Sequence, residues 1–340
     1  MWETKNDTPF SVCGYFCRDR HGFEHWIVAV RASFILGRVG LPRIGAQTPV
    51  RLAPDYTDSR AIELVREADL SPFRPRPDIV LQGQVHPAEP NDRSAMISLS
   101  VGVLQKHVQA FGPRTASRRG RVWRVERAAL EPFELSWTRA LGGVDQQSIA
   151  AGSGTHPANP IGMGWVAEWA KLPESMPVTL PQMERSDVLL NPSEPPPAPV
   201  GFGPIQPAWQ PRAGRAGTYD AAWLAGQAPV APSDFDDAFH QAVSDDQVYP
   251  SDLFGGEPCR VTSLHADGPL EFRLPQIVLT ARTRLGISLV DTRFRLIGIE
   301  IDGTRRTLDM IWNTSLACPG GDHLVRYTNI GLQQMAGVAS

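Results

Sequence analysis

Hydrophobic and polar positions alternate with a period of two through much of the first 140 residues. Trp26, Val28, Val30, Ala32, Phe34 and Leu36 fall on one side of the alternation, and Arg31 and Ser33 on the other. That is the pattern of a strand with one face on a core and one toward water. Ile97, Leu99, Val101 and Val103 alternate with Ser98, Ser100 and Gly102, and Phe133, Leu135 and Trp137 alternate with Glu134, Ser136 and Thr138. With the apolar runs at Ile79–Val85 and Val108–Phe111, this part reads as mostly antiparallel β-structure.

From about Leu141 to Gln210, glycine and proline interrupt every run before a strand or helix settles. Such composition usually marks a linker. Trp165, Trp169, Phe202 and Trp209 lie inside it, and large aromatics in a loop anchor it to a folded surface. Two short helices follow. Thr218 is placed to cap "YDAAWLA", and Ser233 with Asp236 resembles a capping box before "FDDAFHQAV", where Phe235 and Phe239 share a face.

Strand alternation then returns at Leu270, Phe272 and Leu274, and "RFRLIGIEI" and "TLDMIW" read as a hairpin around "DGTR". Strands late in the chain complete the sheets begun at its start. The expected fold is mainly β: an antiparallel, sandwich-like body with a long Pro/Gly-rich loop segment and a few short helices. It is read as a single interwoven domain over 1–340. Within it, 1–140 is β-rich, 141–254 is the loop-and-short-helix segment, 255–315 completes the β-body and 316–340 is a tail.

Composition narrows the function classes. The 340 residues are 42% hydrophobic and 20% charged, with a formal charge of −3, a globular balance without a basic field for nucleic acid. Arg118, Arg119, Arg121 and Arg124 cluster, which a solvated loop followed by a strand accounts for. "MWETKNDTPF" lacks the basic and apolar segments of a secretory signal, so the expected location is cytoplasmic. Cys13, Cys17, Cys259 and Cys318 are scattered and read as buried thiols.

No phosphate loop or nucleophile elbow is present, and no catalytic residue, cofactor or metal is expected. Asp234, Asp236 and Asp237, with Asp245 and Asp246, could serve acid/base chemistry if they converged on a cleft, but helix capping already explains the first set. Trp209, Arg212, Tyr219 and Trp223 cluster among loops and are of the types enriched at interface hot spots; they are the candidate partner-binding residues.

The order of motifs resembles the bacterial domain-of-unknown-function family number 2169, found among type VI secretion accessory proteins. The stretches that carry it are "ADLSPFRPRPDIVLQGQV", "FGPR", "RALGG", "NPIGMGW", "PVGFGPIQPAWQPRAGRAGTYDAAW", "PSDFDDAFHQAVSDDQ", "LEFRLP" and "TLDMIW". The family has a lysine where Arg74 stands, and here a basic insertion, "TASRRGRV", separates Arg114 from Trp123. The resemblance implies a cytoplasmic adaptor or chaperone that binds an effector toxin and helps load it onto the spike, a valine-glycine-repeat protein with its PAAR-type tip. Two rival readings are a carbohydrate-active hydrolase, using Asp234 or Asp236 with Trp209 and Trp223 stacking on sugar, and a structural component of the secretion assembly.

Overall fold

The computed structural model describes residues 2–57, 62–120, 122–147, 154–174 and 176–339. Arg121 and part of the glycine-rich stretch after Gln147 lie outside them. The chain is mainly β, as its alternation predicts, with only one α-helical segment of six residues, Ala221–Gly226, among the described residues.

The central sheet runs in the order Ser11–Arg18, Glu24–Ile35, Thr307–Ala317, Arg295–Asp302, Asp78–Gln82. All its neighbours are antiparallel except the last pair. The hairpin Arg295–Asp302/Thr307–Ala317 forms where the sequence places it. A second sheet joins Met183–Arg185, Leu104–Phe111, Ser94–Val101, Pro258–Thr262, Leu270–Arg273 and Val39–Gly40. A third joins Glu3–Asn6, Val325–Ala336, Gln276–Leu285 and Ser288–Arg293. Trp26, Val28, Val30, Ala32 and Phe34 of the central sheet meet Ile97, Leu99 and Val101 of the second and Ile277, Leu279 and Ile330 of the third in one core. Burial of this kind contributes about 25 cal/mol per Å² of apolar surface.

Three expectations are corrected. The stretch 316–340 is no tail, because Val325–Ala336 is an interior strand of the third sheet, flanked by Glu3–Asn6 and Gln276–Leu285. Its alternation is hidden by a buried Thr328, whose hydroxyl accepts from Trp26 Nε1 at 2.8 Å and bonds Thr283 at 2.9 Å. Second, the arginine run is not a loop: Arg114–Arg119 pairs with Val122–Arg127 as a hairpin. The hairpin encloses a small separate core of Ala116, Val166, Trp169, Leu172, Val178 and Leu180. Trp123 meets Trp169 edge-on at 5.2 Å, and Arg118 donates to the Ala170 and Leu172 carbonyls at 3.1 and 2.7 Å. Third, the Leu141–Gln210 stretch does hold short strands, and two of the family stretches pair through them, Leu141–Gly142 running parallel to Met163–Gly164. Gly142 has φ 150°, and a Cβ there would stand 2.2 Å from the Asn159 carbonyl oxygen, so that approach requires glycine.

The aromatic anchors behave as expected of an ordered loop. Trp169, Phe202 and Trp209 are buried, and Trp165 is half-buried and edge-on to His156 at 5.4 Å.

Candidate functional site

Alternation sends Arg31 and Ser33 to the face of the central sheet opposite the core, where water was expected. Both are buried instead, because residues 47–51 and 67–69 cover that face. A charged residue so placed must be paired and hydrogen-bonded. Arg31 donates to both Asp69 oxygens at 2.9 and 3.0 Å, to Glu300 at 2.9 Å, to Asp309 at 2.6 Å and, through Nε, to Thr48 at 2.9 Å. Arg51 grips Glu300 in a fork at 2.8 and 3.0 Å. Burial alone would raise the Glu300 carboxyl, but the bonds and charges of Arg51 and Arg31 outweigh it and hold it at about 2. Asp69, more deeply desolvated than its partners compensate, is pushed up.

The network extends to the loop segment. Arg74 donates to the His240 and Ile297 carbonyls, each at 3.1 Å, and lies 3.2 Å from Asp78. Asp78 accepts from the Ala242 amide at 2.8 Å and from the Gln241 side chain. Arg212 donates to Glu67 at 2.6 Å and to the Ile205 and Phe239 carbonyls, each at 2.9 Å. The cavity among Glu67, Asp69, Asp78 and Glu300 measures about 20 Å³, room for one water and no substrate. The arrangement is a clamp: planar guanidinium forks hold a helix-poor segment on a sheet.

The structure divides the four candidate partner-binding residues. Trp209 is buried in the main core, edge-on to Trp137 at 6.3 Å, and Arg212 is buried in the clamp. Neither can present itself to a partner, so for these two the expectation is corrected: they root the segment. Tyr219 is 57% exposed, and Trp223 is half-buried beside it at 4.7 Å, with Nε1 donating to the Val230 carbonyl at 2.9 Å. No residue of the helix Ala221–Gly226 is buried, and Leu224 is 68% exposed. This apolar tip is braced from below. Thr218 donates through N and Oγ1 to Asp234 at 2.9 and 2.7 Å, and the Ala231 amide donates to the Arg20 carbonyl at 3.2 Å. Phe23, in the same turn as Arg20, is also largely exposed.

The caps sit elsewhere than the sequence suggests. Asp220, not Thr218, caps the helix by accepting from the Trp223 amide at 2.8 Å. Asp236, not Ser233, caps a single 3₁₀ turn, Asp237–His240. Asp234 is fully exposed, and the Thr218 amide and hydroxyl hold its carboxyl below the usual range, the opposite of what a glycosidic general acid needs. With Trp209 buried, the sugar-stacking arrangement does not assemble. Asp245 pairs with Arg215, and Asp246 with Lys106.

Two constellations escape sequence reasoning because their members are far apart in the chain. Lys106 is buried and donates to Ser244, Asp246 and Gln247 at 2.7–2.8 Å, and burial pushes its ammonium down to about 8 against the pull of Asp246. Gln247 in turn donates to the Ile79 and Phe202 carbonyls, so Lys106 ties the second sheet to the central one. At the outer end of the central sheet, His25 lies between Ser315 (Nδ1, 2.9 Å) and Asp19 (Nε2, 3.3 Å), and Asp19 accepts from the His21 and Phe23 amides. The order is that of nucleophile, base and orienting acid. Neither the clamp cavity nor the groove beside the third sheet is lined by these three residues.

A groove of about 1010 Å³ runs beside the third sheet and is lined by Phe254, Leu279, Phe294 and Trp312 with Arg282 and Asp291 at its rim. Among the described residues, no cluster of three His, Cys, Asp or Glu has metal-holding geometry, and no helix is long and apolar enough to cross a membrane.

Comparison with known proteins returns one finding. No curated protein and no solved structure matches the chain. A family model, described as an uncharacterized protein conserved in bacteria (DUF2169), matches residues 21–313, a span that includes the clamp from Arg31 to Asp309 and the exposed tip. The chain therefore belongs to this bacterial family, DUF2169.

Proposed function

We propose that the protein is a cytoplasmic adaptor that binds a type VI secretion effector and helps load it onto the spike and its PAAR-type tip. The observation that carries this reading is the exposed apolar tip, Tyr219, Trp223 and Leu224, standing on a root fixed by Trp209 and Arg212. An exposed apolar helix on a soluble surface is unfavourable for an isolated chain and favourable once covered. A tip held in one shape before binding loses little conformational entropy on docking. Tyrosine and tryptophan supply large contact area at low rotamer cost, and the braces from Asp234 and Arg20 supply the rigidity.

The test pairs the protein with the effector encoded beside it. Co-expression and affinity capture retain the effector with the natural chain, and the double variant Tyr219→Ala/Leu224→Glu, correctly folded by circular dichroism, loses it. Unchanged capture by the folded double variant, or unchanged secretion of every neighbouring effector after gene deletion, overturns the reading.

A further inference from the structure

Every open sheet ends in strands whose outward backbone groups need a partner or a guard. In the central sheet, Asp78–Gln82 is covered: the Leu81 amide donates to Phe202 and the Ile79 carbonyl accepts from Gln247. At its other edge Ser11–Arg18 lies against Glu3–Asn6, with Trp2 on Phe16 at 5.3 Å. The second sheet ends in strands of three and two residues, Met183–Arg185 and Val39–Gly40. Val122–Arg127 is guarded by Arg124, Glu126 and Arg127.

Ser288–Arg293 of the third sheet is guarded less: its charges are one of each sign, Asp291 and Arg293. Among the described residues, its backbone bonds only to Gln276–Leu285. It contains no proline, lysine or bulge. Leu289 is 53% exposed, and Ile287 at its entry is 91% exposed, more than any other large apolar side chain among the described residues. The 1010 Å³ groove reaches the strand at Asp291, Thr292 and Arg293 from the face of the sheet, since Leu279 of Gln276–Leu285 and Ile330 of Val325–Ala336 line it too.

We infer that this edge pairs with the same edge of a second copy of the chain, joining two third sheets antiparallel across a two-fold axis. The strand is self-complementary in one register. A two-fold axis normal to the sheet keeps outward residues outward, so only positions of equal parity face each other. The turn at Gly286 and the departure of the chain into the central sheet at Arg295 limit pairing to six residues. Centring on Asp291 would oppose two carboxylates, which is unfavourable in directly facing positions. Centring on Val290 instead places Val290 against Val290, Leu289 against Asp291 and Ser288 against Thr292, with no like charges facing. Six residues bury less than a standard interface of about 1,600 Å², so the dimer is weak and concentration-dependent. The inference is independent of the adaptor reading, whose tip is a different surface.

The experiment is light scattering behind size exclusion on the full chain, at loading concentrations from about 1 to several hundred µM. The mass should rise from one chain toward two. Leu289→Asp, which faces a carboxylate with a carboxylate, should weaken association at least tenfold, and Leu289→Lys should preserve or tighten it by facing Asp291 with an ammonium. Val290→Cys should cross-link to its own copy under mild oxidation, since facing residues have Cα atoms about 4.5–5.5 Å apart, and Ser288→Cys should not. A single-chain mass throughout overturns the inference and leaves the edge to a different protein. A dimer equally indifferent to Leu289→Asp and Leu289→Lys, or a Ser288→Cys that cross-links as fast as Val290→Cys, overturns it as well.

Discussion

The root and the tip of the loop segment are separated by only a few residues, yet they are built on opposite principles. At the root, Trp209 and Arg212 are turned into the molecule: the ring meets Trp137, and the guanidinium bonds Glu67 and two carbonyls. At the tip, Tyr219 and Leu224 leave most of their surface to water. The residue types are nearly the same. What differs is whether the central sheet lies beneath them, so aromatic content alone does not separate an anchor from a contact.

The comparison breaks most visibly at the centre of the clamp. Arg31→Met leaves a buried Asp69 and the half-buried Glu300 and Asp309 around a missing cation. Breaking such a pair from one side costs about 3–5 kcal/mol, and chemical denaturation should show a loss of that size or an insoluble chain. Trp209→Ala removes a large ring from the core and should cost about 3–5 kcal/mol by the same measurement. Its effector capture, scored on the folded fraction, should be retained.

Acid titration sharpens the electrostatic half. The Glu300 carboxyl is held at about 2 in the fold, below its ordinary value of 4.5. A carboxyl with a depressed folded pKa stabilises fully above its unfolded value and loses that contribution as pH falls toward the folded one. Stability of the natural chain should therefore fall between about pH 4.5 and 2 more steeply than that of Glu300→Gln, which lacks this titration. Asp69 is pushed up by burial first and by the Glu300 charge as well, so in Glu300→Gln it moves toward its ordinary value and offsets part of the difference. Equal slopes would mean that Arg31 and Arg51 do not hold Glu300 as the distances indicate.

At the tip the expected effect on stability is smallest. Tyr219→Ala and Leu224→Ser should each change unfolding free energy by no more than about 0.5 kcal/mol, as surface substitutions do. Each should weaken effector binding about tenfold or more, the hot-spot range, measured by calorimetry on the purified pair. A tip variant that unfolds the protein, or a root variant that spares stability, would erase the distinction.

Much of the fold was legible because strands buried on one face print their alternation directly. Trp26 through Phe34, Ile97 through Val101 and the hairpin ending in Thr307–Ala317 follow that rule. Val325–Ala336 does not, since Thr328 is buried for its hydrogen bonds to Trp26 and Thr283 and since register shifts interrupt its pairing with Gln276–Leu285. The chemistry around Arg31 was illegible for a related reason. A polar residue on the second face of a strand reads as solvated until something covers it, and the segments that cover Arg31 come from residues 47–51 and 67–69.

The sequence by itself determined the β-rich class, the ordered and aromatic character of the loop segment, and membership of its family, because periodicity, anchoring side chains and motif order are local or linear properties. Tertiary structure alone decided which of Trp209, Arg212, Tyr219 and Trp223 are buried, since burial is a property of what lies across from a residue. Arg31 meets Glu300 and Asp309 only after strands from the two ends of the chain become neighbours, and no spacing along the chain carries that distance.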